Sequence, residues 1–227
     1  DVSLRNLVIA PLPGGGGTNG VQMTAGNSLT VEGSFLSGLT GTGIFVSGAG
    51  LKVVDTTIRV TGSGNGISVW NGARATVARA VISSNTQSAI RVEANAADTT
   101  TTASISGSTL EGSFAGLWAQ STHATATLKV AVTGCQVDRT SIGLHAESSA
   151  GAPVTLTASN NLVTNTTVWG IYVNGTGAKA WATGNTVTDN VYGFVAVTNG
   201  VFESAGNNAL RNNGTDQFGT VTVVPMK

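Results

Sequence analysis

The residue types best suited to chemistry in this sequence form two pairs, Glu93 with Glu147 and His145 with Tyr172. Two carboxyl groups roughly 6.5–9.5 Å apart hydrolyse a glycosidic bond with inversion, one as general acid and the other as general base. A histidine beside a tyrosine supplies a base and an acid for a β-elimination, with Arg91 binding the carboxylate of a uronate sugar. Each scheme requires the fold to bring its residues together.

A phrase of four residues recurs along the chain: a glycine, an aliphatic residue, a variable residue and a small aliphatic residue. With the residue before it, its copies are NGVQM (19–23), TGIFV (42–46), NGISV (65–69), SAIRV (88–92), AGLWA (115–119), IGLHA (142–146), WGIYV (169–173) and YGFVA (192–196). The glycine position, occupied by alanine in the fourth copy, recurs every 23 or 27 residues. Eight copies at such regular spacing predict a repeat architecture.

Each period also contains runs in which apolar and polar residues alternate, such as SLTVEGSF (28–35) and LKVVDTTI (51–58). Such alternation is typical of strands that bury one face, whereas no convincing helical pattern of ten residues occurs. A propeller blade needs about 40 residues or more per repeat, and the regular leucines of a leucine-rich repeat are missing. The sequence therefore predicts an all-β, single-stranded parallel β-helix of eight to nine coils, with three short strands per coil, as one domain over residues 1–227.

The sequence resembles the right-handed parallel β-helix proteins of the pectate-lyase-like superfamily, in particular bacterial proteins with short parallel β-helix repeats. The resemblance rests on the recurring phrase and on the asparagine-rich turns in SNNLVTNTTVWGI (159–171) and TGNTVTDNVYGF (183–194). It implies a right-handed solenoid. The clustered aspartates of polygalacturonase-like members, the calcium-binding acidic cluster of pectate lyases and the Asp-Pro-His of alginate epimerases are missing. The resemblance therefore indicates an architecture and not a reaction.

Two columns of side chains are expected on the outside of the strand that carries the phrase. If its second and fourth positions face inward, the third and fifth face outward. The third positions are Gln22, Phe45, Ser68, Arg91, Trp118, His145, Tyr172 and Val195. The fifth positions are Thr24, Ser47, Trp70, Glu93, Gln120, Glu147, Asn174 and Val197. Aromatic and charged residues are thus concentrated on one face of a chain that is only 5% aromatic and 10% charged.

This face is predicted to bind an extended polysaccharide, because sugar rings stack on aromatic side chains while hydroxyl groups bond to polar ones. The predicted binding residues are Phe45, Trp70, Arg91, Trp118, Gln120 and Asn174. Three consecutive 27-residue coils add residues after the strip, in 93–102, 120–129 and 147–156, and are expected to form a wall beside it. Two alternatives stay open: the outward aromatics only pack against loops, or the chain is a structural or adhesive module without a site.

The spacing of the coils places the candidate catalytic residues. Glu93 and Glu147 lie two coils apart in one column, so their Cα atoms are expected to be on the order of 9.6 Å apart, with Gln120 between them. His145 and Tyr172 lie one coil apart, at about 4.8 Å. We predict these four residues as the catalytic candidates if the protein is an enzyme, either a glycoside hydrolase or a polysaccharide lyase.

Composition excludes several classes of function. The formal net charge is zero, which gives no electrostatic attraction to nucleic acid. Cys135 is the only cysteine, so an intramolecular disulfide and a cysteine-rich zinc site are both impossible. No apolar run approaches the roughly 20 residues needed to insert across a membrane. We predict no metal and no cofactor.

The two ends of the chain suggest where the protein acts and how it associates. The sequence begins at Asp1 without a methionine, and we expect a processed protein that is secreted, periplasmic or attached to the cell surface. A β-helix exposes an open sheet edge at each end, through which copies can associate. The tail GTVTVVPMK (219–227) is expected to fold back as a strand and cap one end.

Overall fold

Parallel strands build the whole of the described chain. The computed structural model describes residues 1–12, 18–84 and 86–224, and none of these residues lies in a helix. The first half of the strands is β1 Val2–Arg5, β2 Val8–Ile9, β3 Val21–Met23, β4 Ser28–Glu32, β5 Phe35–Leu39, β6 Ile44–Ser47, β7 Gly50–Val54, β8 Thr57–Val60, β9 Ile67–Trp70, β10 Arg74–Ala78, β11 Val81–Ser84, β12 Ser88–Ala94, β13 Thr100–Ser106 and β14 Thr109–Glu111. The second half is β15 Ala115–Ser121, β16 Thr127–Thr133, β17 Gln136–Asp138, β18 Ile142–Ser148, β19 Val154–Ser159, β20 Leu162–Thr164, β21 Trp169–Asn174, β22 Ala178–Thr183, β23 Thr186–Thr188, β24 Tyr192–Val197, β25 Val201–Ser204, β26 Ala209–Arg211, β27 Thr215–Phe218 and β28 Val221–Val223.

Every third strand along the chain joins the same sheet. Sheet A contains β1 and each third strand to β28, sheet B runs in the same way from β2 to β26, and sheet C runs from β3 to β27. Each strand pairs in parallel with the equivalent strand of the next coil. The predicted all-β parallel solenoid, with three strands per coil and about nine coils, is confirmed.

The core is the space enclosed by the three sheets. The second position of the phrase forms one continuous inward column, in which Ile67, Ile90 and Leu117 are neighbours in register and fully buried. The fourth position forms a second column that includes Val69 and Val92. Complete burial of one such aliphatic side chain contributes about 1.5–3 kcal/mol. The predicted alternation of inward and outward positions is confirmed.

The glycine of the phrase lies at the corner where sheet B turns into sheet C. A Cβ atom at Gly143 would lie 2.3 Å from the carbonyl oxygen of Gly170 in the next coil and 2.6 Å from Cγ1 of Val163 in the core. The backbones approach so closely at this corner that a side chain would have to displace backbone, which explains why the repeat keeps a glycine there.

A ladder of buried polar side chains holds the corner between sheets A and B. The Oδ1 atom of Asn161 accepts from the backbone N–H of Cys135, and the same atom of Asn185 accepts from the N–H of Asn161. The amide of Asn161 also donates to the carbonyl of Val132. Cys135 lies in register with these asparagines, and burial raises the pKa of its thiol. The asparagine-rich turns thus satisfy backbone groups that would otherwise be buried without partners.

The longer coils lengthen the sheets instead of building a separate wall. Strand β12 extends to Ala94, one residue past the partner of Trp70 at the end of β9, and β13 begins two residues before Thr102, the partner of Arg74 at the start of β10. The added residues Ala94, Ser121 and Ser148 are buried and face inward. Most of the inserted length therefore widens the solenoid, and the expectation of a wall beside the strip is wrong.

The C-terminal tail also differs from its expected role as a cap. Val221–Val223 pairs in parallel with β25 and forms the last strand of sheet A. Residues 225–227 of the predicted cap lie outside the described ranges. Val223 in this last strand is 60% exposed.

Candidate functional site

The outer face of sheet C brings all ten predicted site residues together. Strand register places Arg91, Trp118, His145 and Tyr172 side by side in four consecutive coils. We call these four residues the stacked ladder. The neighbouring outward column contains Trp70, Glu93, Gln120, Glu147 and Asn174 in five consecutive coils. The two-coil separation of Glu93 and Glu147 and the one-coil separation of His145 and Tyr172 are confirmed by this register.

The rings of the stacked ladder cover one another. The Arg91 guanidinium carbon lies 4.0 Å from the Trp118 ring centroid, and the His145 ring lies at 5.2 Å on the opposite side. The Tyr172 ring follows at 4.4 Å from His145. Parallel strands hold equivalent residues about 4.8 Å apart, which suits face-to-face stacking. Both faces of the Trp118 ring are therefore occupied, and a ligand on this surface meets its edge.

His145 is deeply buried inside the stacked ladder. Its exposed fraction is 4%, and neither ring nitrogen has a hydrogen-bond partner among the residues that the structure describes. Burial, together with the positive charge of Arg91, lowers the pKa of His145 to about 3. Because the imidazole is neutral at neutral pH, its distance of 4.0 Å from the Glu147 carboxylate is not a charged contact.

Tyr172 is held in a similar way. It is 7% exposed, and its ring also lies 4.1 Å from the ring of Trp169 on the same strand. Burial, and to a lesser extent the charge of Glu147, raises the pKa of its phenol. The roles of His145 and Tyr172 as base and acid stay predictions, and a substrate would have to displace part of the stack to reach either group.

The second column is a chain of hydrogen bonds between polar side chains. Glu147 accepts at Oε2 from Nε1 of Trp118 at 2.9 Å and from Nε2 of Gln120 at 3.0 Å. The Arg91 guanidinium donates to Gln120 and to Glu93, with 3.2 Å between Nε and the Glu93 carboxylate. The carboxylates of Glu93 and Glu147 thus lie in one column, two coils apart, and Gln120 occupies the position between them.

Phe45 and Trp70 lie at the N-terminal end of the same face. Their ring centroids are 5.2 Å apart in an edge-to-face arrangement, and both residues are half-buried. Trp70 is in register with Glu93, which connects this aromatic pair to the polar column.

Sequence reasoning missed a third outward column on sheet C. The residues before the glycine of the phrase, including Ala115, Ile142 and Trp169, also lie on the outer face. Ala115 and Ile142 form an apolar cluster with Tyr172 and Val195 that is separate from the core. The alternation of inward and outward side chains is broken at the glycine. A prediction that every second residue faces the same side therefore places these residues inward, which is wrong. The signal is the aromatic or aliphatic residue that precedes the glycine in the later copies.

A family comparison agrees with this geometry. The model of the right-handed β-helix region matches residues 19–187, which is most of the chain. The chain belongs to the right-handed β-helix family. This membership is consistent with the resemblance to the pectate-lyase-like superfamily. No curated protein and no solved structure matches this right-handed β-helix.

The described residues contain neither a cluster of metal ligands nor a membrane-spanning helix. Within residues 1–12, 18–84 and 86–224, no group of three or more histidine, cysteine, aspartate or glutamate residues is placed to hold a metal ion. Over the same ranges, no helix of this β-helix protein is long and apolar enough to cross a membrane.

Proposed function

We propose that this right-handed β-helix is an extracytoplasmic module that binds an extended polysaccharide along the outer face of sheet C. One observation carries the proposal: eight of the twelve aromatic residues lie on this face or directly beside it. They are Phe45, Trp70, Phe114, Trp118, Trp169, Tyr172, Tyr192 and Phe218. Nothing in the solenoid requires this concentration, since the outward positions of all three sheets are available to such residues.

The shape of the face suits a polymer better than a small molecule. Its columns run along the axis of the solenoid, one residue per coil, from Phe45 at one end to Phe218 at the other. The amides of Gln120 and Asn174 and the carboxylates of Glu93 and Glu147 offer acceptors and donors to sugar hydroxyl groups at successive coils. Hydrogen bonds within the column already orient Glu93, Gln120 and Glu147. Oriented partners of this kind reduce the entropy lost on binding.

Binding without catalysis is the form of the proposal that the contacts favour. Arg91 is engaged by Glu93, Gln120 and the Trp118 ring, so it is not free to bind a uronate. His145 is covered on both sides. Glu93 and Glu147 are the remaining catalytic candidates, because their side chains are 13% and 17% exposed.

The test is a panel of neutral and uronate-bearing polysaccharides, with affinity electrophoresis for binding and mass spectrometry of the incubated polymers for products. The double variant Gln120→Ala/Asn174→Ala is compared with Lys52→Ala/Thr157→Ala on the outer face of sheet A. We expect retardation by one class of polymer that only the sheet C variant weakens. Shortened or unsaturated products would instead assign catalysis, and Glu93→Gln and Glu147→Gln would then be the first substitutions.

A second candidate function is a structural or adhesive module. It is favoured by one observation, namely that the rings of Trp118, His145 and Tyr172 cover each other as a packed cluster does. Absence of retardation by every polymer in the panel would favour this candidate over polysaccharide binding.

A further inference from the structure

A notch opens at the corner between sheets B and C, beside the stacked ladder. Residues from four neighbouring coils line it, among them Thr86, Gly112, Phe114, Arg139, Ser141 and Thr167. The predicted binding residues on sheet C include none of them. Phe114 joins the notch to the stacked ladder, because its ring lies 6.0 Å from that of Trp118.

The notch exists because one side chain is missing. The residue that follows the sheet B strand adopts a left-handed conformation in five consecutive coils, with φ of 58° at Gly112 and between 51° and 57° in the other four. Those four residues are Arg139, Asn165, Asp189 and Asn212. A Cβ atom built on Gly112 has nothing within 4 Å. Gly112 therefore leaves open a space that the later coils fill with side chains.

The lining of the notch suits a single sugar residue. Phe114 is 40% exposed and provides apolar surface for the C–H groups of a sugar ring. Hydroxyl-bearing residues, including Ser141 and Thr167, stand around it and match the hydroxyl groups of a sugar. Small-molecule sites generally combine apolar surface with a few polar groups in this way.

The charges around the notch favour an uncharged sugar. Arg139 is bound by the carboxylates of Glu111, at 2.6 Å, and of Asp138. Asp138 is 5% exposed and also accepts from Nδ2 of Asn165 at 2.9 Å. Two carboxylates flank one guanidinium, so the local formal charge is negative, and both terminal nitrogens of Arg139 already donate to carboxylates. An anionic sugar would meet repulsion here.

We propose that this notch is a subsite for one uncharged sugar residue of the bound polysaccharide, with Phe114 as its apolar platform. The inference rests on the proposed function and specifies its substrate class. It extends the binding surface from the outer face of sheet C around the corner toward sheet B.

The test uses isothermal titration calorimetry on the full chain with β-1,4-linked hexasaccharides of glucose, mannose and xylose, and with the glucose hexasaccharide oxidised to uronate at C6. Gly112→Asn fills the notch with a residue type that the equivalent positions 165 and 212 already carry in the same conformation. Gly134→Asn is the matched control, because Gly134 has φ of 62°, has open space around its Cβ and lies at the corner between sheets A and B.

We expect Gly112→Asn and Phe114→Ala each to weaken binding of the preferred neutral hexasaccharide by about tenfold, and Gly134→Asn to leave it unchanged. The oxidised hexasaccharide should bind the wild-type protein at least about tenfold more weakly than its neutral parent. Equal unfolding midpoints of the two asparagine variants would show that the loss of binding is not a loss of folding.

The possible failures separate the two proposals. Neutral binding that Gln120→Ala weakens but Gly112→Asn does not would overturn the subsite and leave the proposed function standing. Tighter binding of the oxidised form would overturn the charge argument. Absence of binding to every hexasaccharide and every polymer of the larger panel would overturn the proposed function and this inference together.

Discussion

The outer faces of sheets A and C differ sharply although the same coils build both. On sheet A, the central outward column is Thr30, Lys52, Thr76, Ser104, Ala131, Thr157, Trp181 and Glu203. This column contains a single aromatic residue, Trp181. Its Glu203 pairs with Lys179 of the adjacent column, and the side chains are 25% and 45% exposed respectively. On sheet C, the equivalent surface is aromatic, hydrogen-bonded and in large part buried. Since the inward columns of both sheets are predominantly apolar, the difference is independent of what the core of the solenoid requires.

This comparison shows where the sequence carries information beyond the fold. Inward positions are predominantly apolar because they form the core, whereas outward positions are constrained only by solubility and strand propensity. A concentration of aromatic and charged residues at outward positions therefore has another cause, either a ligand or added stability. The following predictions separate these contributions.

The largest expected effect is the loss of stability when the stacked ladder is interrupted. Tyr172→Ala removes a ring that lies 4.4 Å from His145 and 4.1 Å from Trp169. We expect it to lower the free energy of unfolding by about 3 kcal/mol, whereas Thr157→Ala on sheet A should change it by less than about 0.5 kcal/mol. Urea unfolding of both variants measures the difference. Equal losses of unfolding free energy would contradict the claim that packing within the stacked ladder stabilises the protein.

A smaller effect is expected from the pH dependence of His145. Its pKa is about 3 in the folded protein and 6.5 as the ordinary value, so the unfolded chain binds one more proton between these limits. The stability that the neutral imidazole provides is fully present above pH 6.5 and is lost as the pH falls toward 3. Between pH 7 and pH 5 the loss amounts to roughly 2 kcal/mol.

The control for this prediction is His145→Phe, which keeps a ring in the stack but cannot be protonated. Its free energy of unfolding should fall less between pH 7 and pH 5, because only the other titrating groups, which both proteins share, still contribute. Parallel pH curves for the two proteins would show that His145 titrates normally and is not held neutral by the ladder.

The smallest effect compares two carboxylates. Glu147 accepts hydrogen bonds from Trp118 and Gln120 on sheet C, whereas Glu203 pairs with the half-exposed Lys179 at 2.8 Å on sheet A. We expect Glu147→Gln to cost about 1 kcal/mol of unfolding free energy and Glu203→Gln less than about 0.5 kcal/mol. Chemical denaturation under identical conditions is sufficient, and a larger cost on sheet A would reverse the comparison.

The period of the phrase was enough to predict the coils, the parallel pairing and the two outward columns. It was not enough to predict Trp169 as an outward residue, because the backbone at Gly170 breaks the alternation on which the prediction relied. Spacing also does not distinguish an inserted loop from longer strands, so it predicts a wall where Ala94, Thr100 and Thr101 extend β12 and β13. The mutual coverage of Trp118 and His145 depends on side-chain conformations that no periodicity specifies.

The claim that the ligand binds at the outer face of sheet C and not at that of sheet A is tested most directly by fluorine NMR. Trp70, Trp118 and Trp169 lie on sheet C and Trp181 on sheet A, so fluorotryptophan labelling gives three reporters and one internal control. Each resonance is assigned by a Trp→Phe variant and followed during titration with the polysaccharide that binds. The account predicts that resonances on sheet C shift while that of Trp181 does not. Movement of the Trp181 resonance alone would contradict it.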